Sequence, residues 1–176
     1  MIVNASDDQK AQVVEHLSLY PYHLVKLCKT AGTKIHILQE GEGYLGASKY
    51  LSNLSIEIDS WPNPPAGLFV VEERTIFIKQ LNQLTMTHEF GHALDCALGE
   101  GIYLSSSEKF REAYNEAREF VSPYAASGLD EYFAEGCRAM VSGNDGKRFW
   151  PEVSPSILEQ KDPTLFKLLS EIFSRN

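Results

Sequence analysis

The chain has 176 residues, of which 43% are hydrophobic and 23% are charged, so its length and composition suit one globular domain with one core. The formal net charge of −8 argues against nucleic acid as a partner, because phosphate binding needs a basic face. This charge agrees either with a solvated acidic surface or with the steering of a basic substrate. No uninterrupted run approaches the roughly 18 apolar residues of a membrane span.

The first ten residues lack the basic and apolar regions of a signal peptide. We therefore expect a protein that stays where it is made, leaves by another route, or is seen in its mature form, so the compartment is either secreted or cytoplasmic. Three scattered cysteines form neither a disulfide framework nor a Cys-x-x-Cys pair and indicate buried thiols. We expect a monomer with a single domain over residues 1–176.

Residues 1–33 are predicted to be helical. Ser6 is followed by two aspartates, which is typical of a helix start. Pro21 ends this first helix and opens a second one that reaches Gly32. We expect both helices to pack on the far side of the sheet that follows.

Residues 34–80 are predicted to be the strand-rich half of the domain. Alternation and β-rich composition predict strands at 34–38, 68–71 and 75–78, the last two as a hairpin. The glycines at 41–46 lack the pattern of a phosphate-binding loop and indicate a flexible turn. A rigid loop is expected at 61–65, where a tryptophan precedes three prolines and an asparagine.

Residues 81–176 are predicted to be the helical half. The expected helices lie at 84–98, 107–120, 129–142 and 162–173. Asp162 and Pro163 are a good pair for the cap and first turn of the last helix. Strands in the first half and helices in the second are typical of an α+β domain.

Residues 88–92, His-Glu-Phe-Gly-His, carry the pattern with the clearest chemistry. His88 and His92 are four apart, so a helix places both imidazoles on one face, where they can share a tetrahedral metal ion. Glu89 can act as general base toward a metal-activated water and pass the proton to a leaving amine. The alternative is a helix with polar histidines and no metal. Gly91 argues against it, since a glycine that costs about 1 kcal/mol in a helix indicates close backbone approach.

The third metal ligand is expected among downstream carboxylates. Catalytic zinc usually has three protein ligands, and no histidine follows His92. Glu131 and Glu135 lie four apart on one predicted helical face, so both are candidates. The alternative is a solvated acidic face, but Phe133 and Ala134 indicate a partly buried helix, where a bare carboxylate pair is costly unless it is neutralised.

Three segments resemble the catalytic domain of anthrax lethal factor and the Pro-Pro endopeptidases that share this domain: HEFGHALD at 88–95, YA at 124–125 and EYFAE at 131–135. The resemblance is specific over residues 85–142. It implies a small zincin-like metallopeptidase domain of the α+β class, with a twisted, mostly antiparallel sheet packed on the active-site helix. It also implies a zinc-dependent endopeptidase with one Zn²⁺ per chain and a protein or peptide substrate.

The resemblance also assigns roles to individual residues. It makes Glu131 the third zinc ligand, and Tyr124, seven residues earlier, a catalytic residue that donates its O–H to the developing oxyanion. The alternative for Tyr124 is a packing role. The resemblance makes Glu135 the residue that orients the site. Asp95 either accepts a hydrogen bond from a ligand histidine or caps the end of its helix.

In zincins of this type the substrate adds as a strand to a sheet edge above the active-site helix. By position, the candidate edge consists of Gly67, Leu68, Phe69 and Val70, and the alternative is a plain buried hairpin strand. Three functions stay open: an active zinc endopeptidase, a metal-binding zincin-fold or toxin-derived module without peptidase activity, and a metal hydrolase that acts on another bond. A His₂-Glu donor set also suits other divalent ions, so zinc follows from the resemblance rather than from the donors.

Overall fold

A four-stranded sheet forms the centre of the computed structural model, which describes residues 1–143 and 152–174. The strands in chain order are β1 (Ile2–Val3), β2 (Lys34–Ile37), β3 (Gly67–Val70) and β4 (Thr75–Ile78). Their order in the sheet is β1-β2-β4-β3, so β3 lies at one edge. All four residues of β4 are buried, which agrees with its central position.

The predicted small α+β sheet is confirmed, but the expectation that it is mostly antiparallel is wrong. β1 pairs with β2 in parallel, β2 pairs with β4 in parallel, and only the β3–β4 hairpin is antiparallel. Between β1 and β2 the two helices α1 and α2 form a crossover that returns the chain in the direction of the strand it left. β2 and β4 are parallel because the antiparallel strand β3 lies between them in the chain. The two-residue strand β1 was not predicted, since it is too short to show alternation.

Nine helices are present in the described residues: α1 (Asp7–Leu17), α2 (Tyr22–Thr30), α3 (Tyr44–Ala47), α4 (Lys49–Ser52), α5 (Gln83–Leu98), α6 (Glu108–Glu116), α7 (Leu129–Val141), α8 (Pro155–Lys161) and α9 (Pro163–Phe173). The region predicted as a flexible turn holds α3, and α8 was not predicted. α6 ends before residue 120, because Ala117 has an extended backbone. None of these helices has the length and apolarity that crossing a bilayer requires.

The expected placement of the N-terminal helices on the far side of the sheet is wrong, because they pack on the same face as α5. Tyr20, between α1 and α2, donates a hydrogen bond of 2.7 Å to the Thr87 carbonyl in α5. Its ring also packs edge-on against Phe90, with centroids 4.7 Å apart. α3 and α4 cover the other face, where Tyr44 and Leu51 share a second apolar cluster with Phe77 of β4.

α5 and α7 approach each other closely at Gly91. A Cβ atom at this position would lie 2.8 Å from the Ala134 Cα atom, nearer than real Cβ atoms come to backbone. The close backbone approach that Gly91 predicted is therefore confirmed. Because the two helices touch here, side chains one turn away on each helix face a common space.

Candidate metal centre and catalytic cleft

α5 carries the two histidines inside the protein. The Asn82 side chain caps the helix by accepting a hydrogen bond from the Thr85 backbone N–H. Since α5 packs against β3, α2 and α7, most of its length is buried, including His88 and His92. The Nε2 atoms of these two histidines lie 3.2 Å apart, so their outer nitrogens face the same point.

Glu131 in the first turn of α7 completes the group. Its Oε2 atom lies 3.1 Å from His88 Nε2 and 3.4 Å from His92 Nε2. Two ligands of a tetrahedral zinc ion are about 3.3–3.4 Å apart, given metal–ligand distances of about 2.0–2.1 Å. The three donor atoms therefore already have nearly the spacing that such an ion requires.

The hydrogen bonding of these donors also fits a metal ion. Glu131 Oε2 is buried and has no hydrogen-bond partner, an arrangement that costs free energy unless a ligand compensates it. Within residues 1–143 and 152–174, His88, His92 and Glu131 are the one group of three metal-ligating side chains with converging donor atoms. The residues present thus fit the divalent ion that the resemblance implies.

The pKa values of the donor side chains indicate that metal binding would be accompanied by proton release. Burial disfavours the charged form of His88, but the adjacent carboxylates of Glu131 and Glu135 outweigh it and raise the pKa of His88 to about 9. Burial likewise opposes ionisation of Glu131, but the adjacent His88 and His92 rings lower its pKa to about 2. Near neutral pH Glu131 is therefore a carboxylate, and a metal ion would displace a proton from His88.

Glu89 lies between the donor group and the edge strand. A Cβ atom on Gly67 would lie 2.6 Å from Glu89 Cγ and 2.7 Å from Thr85 Cγ2, so β3 rests directly on this part of α5. Burial raises the pKa of Glu89, although His88 and His92 lower it. A raised pKa suits a carboxyl group that takes up a proton and later returns it.

Glu135 lies behind His88 and accepts four hydrogen bonds. The donors are His88 Nδ1 at 2.9 Å, Arg138 Nε at 2.7 Å, Arg138 Nη2 at 2.8 Å and the Ser122 hydroxyl. Burial opposes the charge of Glu135, but Arg138 and His88 hold its pKa far below its usual range. This contact fixes the orientation of the His88 ring, which agrees with the orienting role predicted for Glu135.

Sequence reasoning did not identify Arg138 and Ser122 as part of the site. Arg138 follows Glu135 by three residues on the same helix, a spacing that permits an ion pair and was the one available signal. Nothing in the sequence connects Ser122 to Glu135, because their contact depends on the fold of the segment that precedes α7.

Tyr124 begins a short 3-10 turn, Tyr124–Ser127, at the mouth of the site. Its ring centroid lies 5.4 Å from that of His88, and 54% of the residue is exposed. Partial burial and the nearby Glu131 carboxylate raise the pKa of Tyr124, so its hydroxyl keeps its proton. The structure brings the predicted catalytic tyrosine to the site as a hydrogen-bond donor, and its catalytic role stays a prediction.

The two contacts predicted for Asp95 are absent, and a different one is present. Asp95 Oδ1 accepts a hydrogen bond of 2.8 Å from the Ser105 backbone N–H, so it anchors the turn that follows α5. His92 Nδ1 and Asp95 Oδ2 each lack a hydrogen-bond partner, so no bond joins them. Burial raises the pKa of Asp95 to about 6, against the effect of Ser105. The Asp95 carboxylate bonds to this turn because the turn folds back onto α5. The sequence alone does not show that fold.

A cleft of about 300 Å³ opens beside these groups. Its lining residues come from the segment before and into β3, from α5, from Tyr124 and from α7: Pro65, Ala66, Gly67, Leu84, Thr85, His88, Glu89, Tyr124, Glu135 and Arg138. The predicted edge strand Gly67–Val70 does lie at an edge of the described sheet, and its first residue, Gly67, lines this cleft. Its role in substrate binding stays a prediction.

The fold as a whole is similar to that in the solved structure of the PRO-PRO endopeptidase (PPEP-2) from Paenibacillus alvei. The TM-score is 0.69, and the match covers 98% of this chain and 96% of that chain at 17% sequence identity. No family model matches the sequence, and no curated protein matches it either. The chain thus shares the fold of this endopeptidase structure, and its His88, His92 and Glu131 side chains form a group that could hold a metal ion.

Proposed function

We propose that this protein is a zinc-dependent endopeptidase that hydrolyses peptide bonds in proteins or extended peptides. The observation that carries this proposal is the convergence of His88 Nε2, His92 Nε2 and Glu131 Oε2 directly beside the buried Glu89. The likeness to an endopeptidase over nearly the whole length of both chains supports a peptide as the substrate. The HEFGH and EYFAE motifs and Tyr124 further support kinship with the lethal factor catalytic domain.

The mechanism follows from the positions of the side chains. A zinc ion held by His88, His92 and Glu131 would lower the pKa of a water to about 7 and polarise the scissile carbonyl. Glu89 takes the proton from the attacking water and returns it to the leaving amine, for which its raised pKa suits it. Tyr124 donates its hydroxyl proton in a hydrogen bond to the developing oxyanion.

Substrate binding is assigned to the sheet edge that β3 forms. An extended peptide that adds to this edge gains main-chain hydrogen bonds along Gly67–Val70 and passes over Glu89. Among the described strands β3 pairs with β4 alone, so its other side is open to a further strand. The peptide is thereby held extended, in the conformation that presents one bond to the attacking water.

The decisive experiment digests a combinatorial peptide library, including peptides with Pro-Pro pairs, with the zinc-loaded protein. We expect defined cleavage that a chelator abolishes and added zinc restores. The Glu89→Gln variant should keep its zinc and lose at least about 10³-fold in kcat/KM, since it removes the general base. Metal content and kcat/KM are measured on the same preparation.

Two outcomes contradict the proposal. If Glu89→Gln retains peptidase activity, the assigned mechanism is wrong. If the wild-type protein binds zinc but cleaves no peptide, it is a metal-binding module of the zincin fold, or it acts on another kind of bond.

A further inference from the structure

Gly67, the first residue of β3, lies directly against the side chain of Glu89. A Cβ atom on Gly67 would lie 2.6 Å from Glu89 Cγ, 2.7 Å from Thr85 Cγ2 and 3.1 Å from Glu89 Oε1. The first two distances are shorter than those that real Cβ atoms show, so no other residue fits here unless a neighbour moves. Gly67 is buried and lines the cleft together with Thr85 and Glu89.

The backbone conformation of Gly67 does not explain why a glycine is present. Among the described residues, the glycines with a positive φ are Gly32, Gly41, Gly101 and Gly143, and Gly67 is not one of them. A glycine inside a strand weakens it, and it often marks a site to which another group comes close. The requirement at this position is therefore the space that a side chain would fill, and not the backbone torsion.

Of the groups around Gly67, Glu89 is the one that a side chain would displace. β3 is held in place, since it pairs with β4 and the Ala66 carbonyl accepts two backbone hydrogen bonds, of 2.8 and 2.9 Å. Thr85 is β-branched and lies in α5, where its χ1 torsion has few allowed values. Glu89 has three side-chain torsions, so it gives way more easily than either of them.

Displacement of Glu89 would move its carboxylate, because the closest contact is made near the root of the side chain. A contact with Cγ is relieved by rotation about the bonds that precede the carboxylate, and the carboxylate moves with that rotation. Under the proposed function, this group must reach the attacking water within about 2.6–3.2 Å. A displacement of about 1 Å in such a group can lower the rate about 100-fold.

We propose that Gly67 is a positioning residue for the general base: because Gly67 has no side chain, the Glu89 carboxylate can occupy the place between β3 and the donor group from which it reaches the attacking water. The inference rests on the proposed function and adds to it a residue of β3 that acts through Glu89. The competing explanation is that a small residue at position 67 only leaves room for the substrate. The two explanations predict different losses.

The first test measures cleavage by zinc-loaded Gly67→Ala, with a peptide that the wild type cleaves. We expect kcat to fall about 100-fold, because the general base is displaced, while KM changes less than about threefold and zinc content is unchanged. Gly46→Ala is the control, since no heavy atom lies within 4 Å of the position of its Cβ. This control should retain the wild-type kcat.

Peptide affinity is measured separately, on protein that cannot cleave. The same peptide is titrated into zinc-loaded Glu89→Gln with and without Gly67→Ala, and its Kd should change less than about threefold. A loss of affinity as large as the loss in kcat/KM would show that the methyl group blocks the substrate, and the inference would be wrong. A crystal structure of Gly67→Ala in which the Glu89 carboxylate keeps its wild-type position would also overturn it.

Unfolding in urea tests the contact without any activity. The decrease in midpoint caused by Gly67→Ala should be about halved in a Glu89→Ala background, where the contact with Cγ is removed and that with Thr85 remains. An equal decrease in both backgrounds, or failure of Gly67→Ala to fold in both, would mean that Glu89 is not the group displaced. If the wild type cleaves no peptide, the proposed function itself fails and the inference falls with it, whereas an undisplaced Glu89 contradicts the inference alone.

Discussion

The front and the rear of the candidate metal centre use the same kinds of side chain in opposite ways. At the front, His88 Nε2, His92 Nε2 and Glu131 Oε2 crowd together, and Glu131 Oε2 has no hydrogen-bond donor. At the rear, Glu135 accepts four hydrogen bonds. Two glutamates one helical turn apart thus differ in whether the protein satisfies them. The difference agrees with a rear whose hydrogen bonds are all made within the protein and a front whose donor atoms could hold a metal ion.

The largest effect on zinc binding is expected when the carboxylate of Glu131, at the front of the site, is removed. Glu131→Gln should reduce zinc affinity by more than about 100-fold, beyond the range expected for residues that only support a ligand. The reason is that an amide oxygen carries no charge to replace the carboxylate. Competition with a chromophoric chelator measures the affinity. Glu108→Gln, an exposed first-turn glutamate of α6, is the matched control and should change nothing.

Tyr124→Phe tests whether the front contains catalytic groups besides the metal ligands. We expect kcat to fall by about 10²-fold with zinc affinity unchanged, because an oxyanion donor acts only in the transition state. Steady-state kinetics and metal content are the measurements. Tyr22→Phe, at a tyrosine that is 78% exposed on α2, is the control. An unchanged kcat would leave Tyr124 with a packing role.

Glu135→Gln tests the rear of the site, and we expect it to lower zinc affinity less than Glu131→Gln does. Zinc affinity should fall by about 10-fold to 100-fold, since His88 loses a charged acceptor for Nδ1 but remains a ligand. Ser122→Ala removes one donor to Glu135 and should have less effect than Glu135→Gln. Isothermal titration with zinc compares the two. If Glu135→Gln weakens zinc binding as much as Glu131→Gln, the distinction between front and rear is wrong.

Gly91→Ala tests the close contact between α5 and α7, the two helices that carry the side chains of the front and the rear. The new methyl group would press on Ala134, so we expect a loss of about 1–3 kcal/mol in the free energy of unfolding, measured with urea. Gly46→Ala is the control, because no heavy atom lies within 4 Å of the position of its Cβ. Equal stability of the two variants would show that α5 and α7 can separate at little cost.

Local spacing predicted the front of the site well. His88, Glu89 and His92 lie within one helical turn or so, and a helix alone suffices to align them. Glu131 and Glu135 were both candidates from their burial pattern, and it was the resemblance that separated their roles. The contacts in the structure agree with that separation, since only Glu131 faces the two Nε2 atoms.

The errors lie where distant segments meet. The direction of β1 and β2 follows from their pairing and not from their composition, so the mostly antiparallel sheet was a wrong expectation. The expectation that α1 and α2 pack on the far side of the sheet was wrong for the same reason. Asp95 was expected near a ligand histidine, but it bonds to a turn that is ten residues away in sequence.

The sequence by itself therefore determined the helix that carries the two histidines, the glutamate between them and the acidic helix that faces them. Periodicity and motif spacing are local properties, and they survive in any fold that buries these faces. Only the tertiary structure determined that Gly91 lets the two helices touch, that Gly67 of β3 lies against Glu89 and that Arg138 joins the rear to the cleft. These features depend on contacts between residues that are far apart in the chain, and local sequence patterns do not predict such contacts.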